Sequence, residues 1–195
     1  MQVQKHARIT NIRKLSKYFL FLTVLAMALV AVGGITLTAI IVCSSTGDLT
    51  VPAYLAKAAA LGSRIAPFLM DGLSVELKVL AVLGCIFFFG MIEMVLMHIK
   101  QLLTCFQQGE IFNKQAVFHA KRAFNINFAF VAIMFLVELL STAVSYVYPW
   151  NGMTGNLEGF FFKSFDQIVW LCICLLLLWS LEIGVDLNEE AELTI

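Results

Sequence analysis

The sequence predicts an all-α integral membrane protein: a four-helix bundle with both termini cytoplasmic and a short interfacial helix in the first outer loop. Three observations predict it. Of 195 residues, 61% are hydrophobic and 13% charged, about half the charge of a soluble domain. Four apolar runs reach the roughly 18 residues that carry a helix across a bilayer. The three prolines, Pro52, Pro67 and Pro149, all fall between those runs, where no helix has to lose a backbone donor.

The predicted spans are Tyr18–Cys43, Val79–Ile99, Ala123–Val147 and Phe165–Ile183. The first is too long for the apolar core of a secretory leader and no A-x-A site directly follows it, so it reads as a retained signal-anchor helix. Mean hydropathy is +0.89, more apolar surface than a small water-soluble core could hide. The five cysteines lie mostly inside apolar runs, and their odd number implies free thiols that pack as small hydrophobes.

Net charge is zero, but the charges are segregated. Lys5, Arg8, Arg13, Lys14 and Lys17 precede the first span, and Lys100, Lys114, Lys121 and Arg122 lie between the second and third. The opposite side holds Lys57, Arg64, Lys78 and Lys163. This imbalance of Lys and Arg places both termini in the cytoplasm. Acids count for little in that rule, so the acidic tail over 184–195 stays inside as well.

Two connections have their own pattern. The first outer loop, "VPAYLAKAAALGSRIAPFLMDG", combines Pro52 with an alanine-rich stretch and predicts the interfacial helix. The inner connection over 100–122 predicts a helical hairpin that extends beyond the membrane. Gly109 sits where a left-handed residue would end its first helix, and Asn113 is placed to cap the second. Phe112, just before that cap, is expected to pack on Val117 as a hydrophobic staple.

Inside the spans the conspicuous polar groups are Glu93, Asn127 and Glu138. An acid near mid-helix costs roughly 2.5–3.5 kcal/mol, so such groups are expected to face other helices and find partners. Glu93 lies about 9 Å above the inner end of its span, close to the depth of Asn127, so those two can meet. Glu138 belongs to the outer half. Two separate interhelical clamps fit these depths better than one relay for protons or cations.

Several chemistries lack their signatures. There is no G-x-x-x-x-G-K-[ST] phosphate loop, H-E-x-x-H zinc helix or G-x-S-x-G elbow, and no nucleophile–base pair stands out. His98, Cys105 and His119 flank the hairpin at spacings that match no standard zinc pattern, so neither metal nor cofactor is expected. An enzyme is not expected. Gly34 and Thr38 form one small-xxx-small pair, a signal for close helix contact.

Three stretches carry a resemblance: "IRKLSKY", "FQQGEIFNKQAVFHAKRA" and "LNEEAELTI". Together they resemble DUF2975, a family of four-span bacterial inner-membrane proteins of unknown function. The matching positions are Gly109, Glu110, Ile111, Phe112 and Val117, then Leu187, Glu190, Glu192, Leu193, Thr194 and Ile195. Asn113, Ala116 and Phe124 depart from the common Thr, Asn and Gly, and the tail lacks a basic residue that many members carry. Such genes often stand beside one for a small helix-turn-helix regulator, so the resemblance implies a cytoplasmic DNA-binding partner.

The expected function is therefore partner binding at the membrane, without direct contact to nucleic acid. The inner hairpin (Gly109, Phe112, Asn113) and the tail acids Asp186, Glu189, Glu190 and Glu192 would dock that partner, while Leu181, Val185 and Leu187 still pack. A second expectation is a small ion- or proton-coupled transporter or channel subunit using Glu93 or Glu138. A third is a structural or immunity-type protein that blocks another membrane component. Homo-oligomers are compatible with each.

Overall fold

The structure is a computed structural model that describes residues 2–44, 46–49, 72–109, 112–147 and 157–193, with side chains over 12–44, 46–47, 72–109, 112–147 and 157–191. Four long helices dominate it: α1 (Gln2–Cys43), α2 (Val75–Gln108), α3 (Lys114–Val147) and α4 (Leu157–Leu193). One short strand, β1 (Thr46–Leu49), follows α1 and bridges in parallel from Thr46 to Leu73. All four helices are long and apolar enough to cross a membrane, so they suit a lipid bilayer. The interfacial helix expected in the first outer loop lies outside the described residues.

The helices outrun the spans that hydropathy marks. A 34-residue helix such as α2 is about 51 Å long, against roughly 30 Å of hydrocarbon. The apolar run thus marks only the middle of each element. The helical ladder continues past it as long as no residue breaks the i to i−4 bonds, and α4 in particular begins eight residues before its predicted span.

Chain contacts divide into two compact units. One comprises Met1–Val32, Gly90–Phe128 and Trp170–Ile195; the other comprises Gly33–Phe89 and Ala129–Val169. Along α1 the buried and half-buried positions include 16, 20, 23, 27, 30, 34, 37 and 41, and along α4 they include 160, 164, 167, 171, 174, 178, 181 and 185. Alternating steps of four and three make the seam of left-handed helix packing. The outward faces are no less apolar: Ile35 is 72% exposed. Such faces need a lipid solvent.

Several hydroxyls on these seams are satisfied within their own helices. Thr23 and Ser164 donate to the carbonyls four residues back, each at 2.8 Å, and Thr38 does so to Gly34 at 2.7 Å. In the second unit Ile41, Leu73 and Leu77 form a small closed core. Ser74 caps α2 by accepting the Leu77 amide at 3.3 Å, and the Lys78 ammonium donates to the Ser44 carbonyl at the end of α1. Gly47 and Gly72 approach so closely that a Cβ on Gly47 would stand 2.6 Å from Gly72 backbone.

The small pair Gly34 and Thr38 does not serve backbone contact alone. A Cβ on Gly34 would meet the Phe89 ring at 3.0 Å, so the glycine seats that ring. Phe88 turns its own ring on Phe130, with centroids 5.2 Å apart. Gly34→Val is therefore expected to overpack the contact and destabilise by roughly 1–3 kcal/mol. Adding Phe89→Leu should restore about half of that loss. Detergent unfolding followed by circular dichroism measures both, and no rescue by the second substitution would show that the ring is not what Gly34 accommodates.

Candidate functional site

The first unit holds the turn between α2 and α3 and the end of α4. Gly109 closes α2 with a φ of +91°, a conformation that only glycine adopts without strain. Arg13 of α1 reaches this end and donates to the Gln108 carbonyl at 3.0 Å, supplying charge where the helix dipole wants a cation. A Cβ on Gly109 would sit 2.5 Å from the Arg13 guanidinium, so a side chain there would also expel the arginine. Asn113 starts α3: its Oδ1 accepts the Gln115 amide at 3.1 Å, and its carbonyl accepts the Val117 amide.

Phe112 has a seat that the staple expectation did not include. Its ring covers Gly184 of α4, so closely that a Cβ there would lie 2.5 Å from it. α4 runs through the acidic tail without a break. Val185 is buried and Leu181 half-buried, but Leu187 is 60% exposed and does not pack as expected. It lies about 200° round the helix from Val185 and so points away.

The tail acids are not simply turned to water. Glu189 pairs with Lys114 at 2.9 Å, and Glu182 with Lys121 at 3.5 Å. Both pairs step by seven residues, two helical turns, in opposite directions along α3 and α4. Asp186 adds its charge near Lys114. Both lysines are largely exposed, so water screens each pair and neither holds strongly. Asp186 and Glu190 lie on the exposed face, and Glu192 has no described side chain.

The intramembrane candidates separate. Glu93 and Asn127 are both half-buried in the first unit, but among the described residues no hydrogen bond joins them. Glu138, in the second unit, pairs with Lys163 at 2.8 Å. Hydropathy alone puts Lys163 in a loop. Because α4 begins at Leu157, it stands instead on the second turn of a helix, facing α3.

One further pair was not foreseen. His98 of α2 and His119 of α3 bring their Nδ1 atoms to 3.4 Å, and Phe118 stands edge-on to His119. Gln101, one turn beyond His98, has a buried Oε1 with no hydrogen-bond partner, which costs about 1–3 kcal/mol. In the second unit an open groove of about 790 Å³ is lined by Phe135 and the aromatic start of α4. It lacks the convergent polar groups of a ligand site.

The Glu138–Lys163 pair is open to a direct test. Glu138→Gln, Lys163→Gln and the double variant should give a coupling of roughly 0.5–1.5 kcal/mol in a double-mutant cycle of detergent unfolding. Lys163→Gln alone should be the more harmful single change, since it leaves a carboxylate unpaired. Additive effects would mean that the pair holds nothing together.

Searches of curated proteins and of solved structures find no match. The sequence pattern of one family, described as a protein of unknown function, matches residues 49–195. Three of the four long helices, the hairpin turn and the tail all fall in that stretch, and the chain belongs to the DUF2975 family.

Proposed function

We propose that this is a partner-binding regulatory protein of the bacterial inner membrane, with both termini cytoplasmic. The hairpin and the α4 extension form its docking surface, and a DNA-binding helix-turn-helix regulator is the partner. One observation carries the reading: Lys114–Glu189, Lys121–Glu182 and Phe112 on Gly184 join turn and tail into one element at the charged end of the helices. A regulator's DNA-binding face is basic. Acids that occupy it compete with phosphates for the same Lys and Arg side chains, so sequestration needs no chemistry.

The internal pairs make this an exchange. A partner takes Glu182 and Glu189 only by replacing Lys121 and Lys114, and exposed pairs of this kind are weak enough to be replaced. Affinity purification in mild detergent should capture the regulator with the full chain and not with one ending at Val185. Lys114→Ala combined with Lys121→Ala should strengthen capture by roughly 2–30-fold, because the competing cations are gone. Raised salt should weaken it. Capture that survives loss of the tail would remove the tail from the mechanism.

A transporter or channel role remains the second reading, and Glu93 is what favours it. It is a half-buried acid with no ion pair or hydrogen bond among the described residues, whereas Glu138 is occupied by Lys163. Proton or cation flux into proteoliposomes should then fall at least tenfold in Glu93→Gln. Absence of flux with the unaltered protein would end this reading.

A further inference from the structure

The imidazoles of His98 and His119 come from different helices, 21 residues apart, and meet nitrogen to nitrogen at the turn end of α2 and α3. At 3.4 Å the two Nδ1 atoms are within hydrogen-bond reach, with the tautomers deciding which donates. The rings are inclined by 31°, with centroids 5.7 Å apart. Ala116 and Ala123, one turn to either side of His119, are both buried. One turn from His98, the buried Gln101 Oε1 is an oxygen acceptor without a donor. Two ring nitrogens thus meet, and an unused carbonyl oxygen belongs to a residue on the His98 face of α2, three positions on.

We propose that His98, His119 and Gln101 form a binding site for a divalent transition-metal ion of the zinc class. Two metal–nitrogen bonds of about 2.0–2.1 Å that meet at a tetrahedral angle hold their nitrogens about 3.4 Å apart. The pair already stands at that separation. Each ring needs only a modest turn to aim its lone pair at a shared ion instead of at the other nitrogen. Both imidazoles then carry their proton on Nε2 and give Nδ1 to the metal. Gln101 Oε1 is the third donor and water completes the shell.

The donor set also selects the ion. No third His, Cys, Asp or Glu joins the pair among the described residues. Lys100, Lys121 and Arg122 lie within three residues of one histidine or the other along the chain. Calcium and magnesium require oxygen-rich, usually anionic shells, and this site offers neither. Imidazole nitrogens suit zinc, cobalt, nickel and copper. A bound ion would cross-link α2 to α3.

The test uses the full chain in detergent, purified without a histidine tag and titrated with Co²⁺, followed by Zn²⁺ competition. One ion per chain is expected, with visible absorption typical of nitrogen and oxygen ligands. His98→Gln and His119→Gln should each weaken binding at least tenfold, Gln101→Leu should do so several-fold, and His6→Gln should leave it unchanged. Circular dichroism shows whether each variant keeps its helices. Should one imidazole variant fail to fold, the other two ligand substitutions still decide the matter. No uptake of either ion below about 100 µM, or equal uptake by the folded ligand variants, would overturn the site.

Discussion

Hydrocarbon offers no partner to a polar group, and most of what these helices do follows from that constraint. The backbone answers it by remaining helical over 34 residues or more in every long element. Serine and threonine answer it locally: Thr23, Thr38, Ser164 and Ser180 each donate to the carbonyl four residues back. Ser145, fully buried, reaches back three residues to Thr142. Since these hydroxyls need nothing from a neighbouring helix, they can sit in a packing seam at the size of alanine. Glu138 cannot be satisfied locally, and it takes its counter-charge from Lys163 of α4.

Packing between such helices has to rely on shape. Lipid tails are as apolar as leucine, so burying a leucine against another helix brings little hydrophobic gain. Small side chains help the helices to fit: Ser16, Thr23, Ala116, Ala123, Ser145 and Ser164 are buried beside larger residues such as Ile41, Phe160 and Leu178. The outward faces carry Phe21, Leu29 and Ile35. Two glycines take this further by each receiving a phenylalanine ring, Gly34 from Phe89 in one unit and Gly184 from Phe112 in the other. A glycine in such a helix gives up backbone stability, and the ring that fills its place returns contact area.

Local signals were legible in the sequence and distant ones were not. Four spanning helices, the glycine that ends α2 and the asparagine that caps α3 depend on runs of a few residues, and each can be read from its own stretch. Helix ends were harder, because hydropathy stops counting at a charge while the ladder continues. That is why hydropathy puts Lys163 in a loop and gives no sign of its bond to Glu138. Phe112 on Gly184 and Leu187 turned outward depend on which face α4 presents, and a helix apolar on every side does not declare it. The paired histidines were illegible for a similar reason. Ligand spacing rules describe neighbours in sequence, whereas His98 and His119 become neighbours only when α2 and α3 run antiparallel.

The end of α4 shows how two unfavourable features can cancel. Acids crowd its last turns, with no base in the final one, where the helix dipole favours cations. α3 has the opposite fault: it opens on Lys114 with no acid in its first turn, where the dipole favours anions. Either helix end would be electrostatically disfavoured alone. Running antiparallel, they bring Lys114 to Glu189 and Lys121 to Glu182, and each end supplies the charge that the other lacks. The compensation is real but shallow, because the lysines stand in solvent and water screens them. Stronger, buried pairs would have fixed the tail for good. Pairs this exposed hold α4 against the hairpin while leaving its acids exchangeable, so a basic surface that reaches them meets a helix already formed and oriented, and binding costs little further ordering.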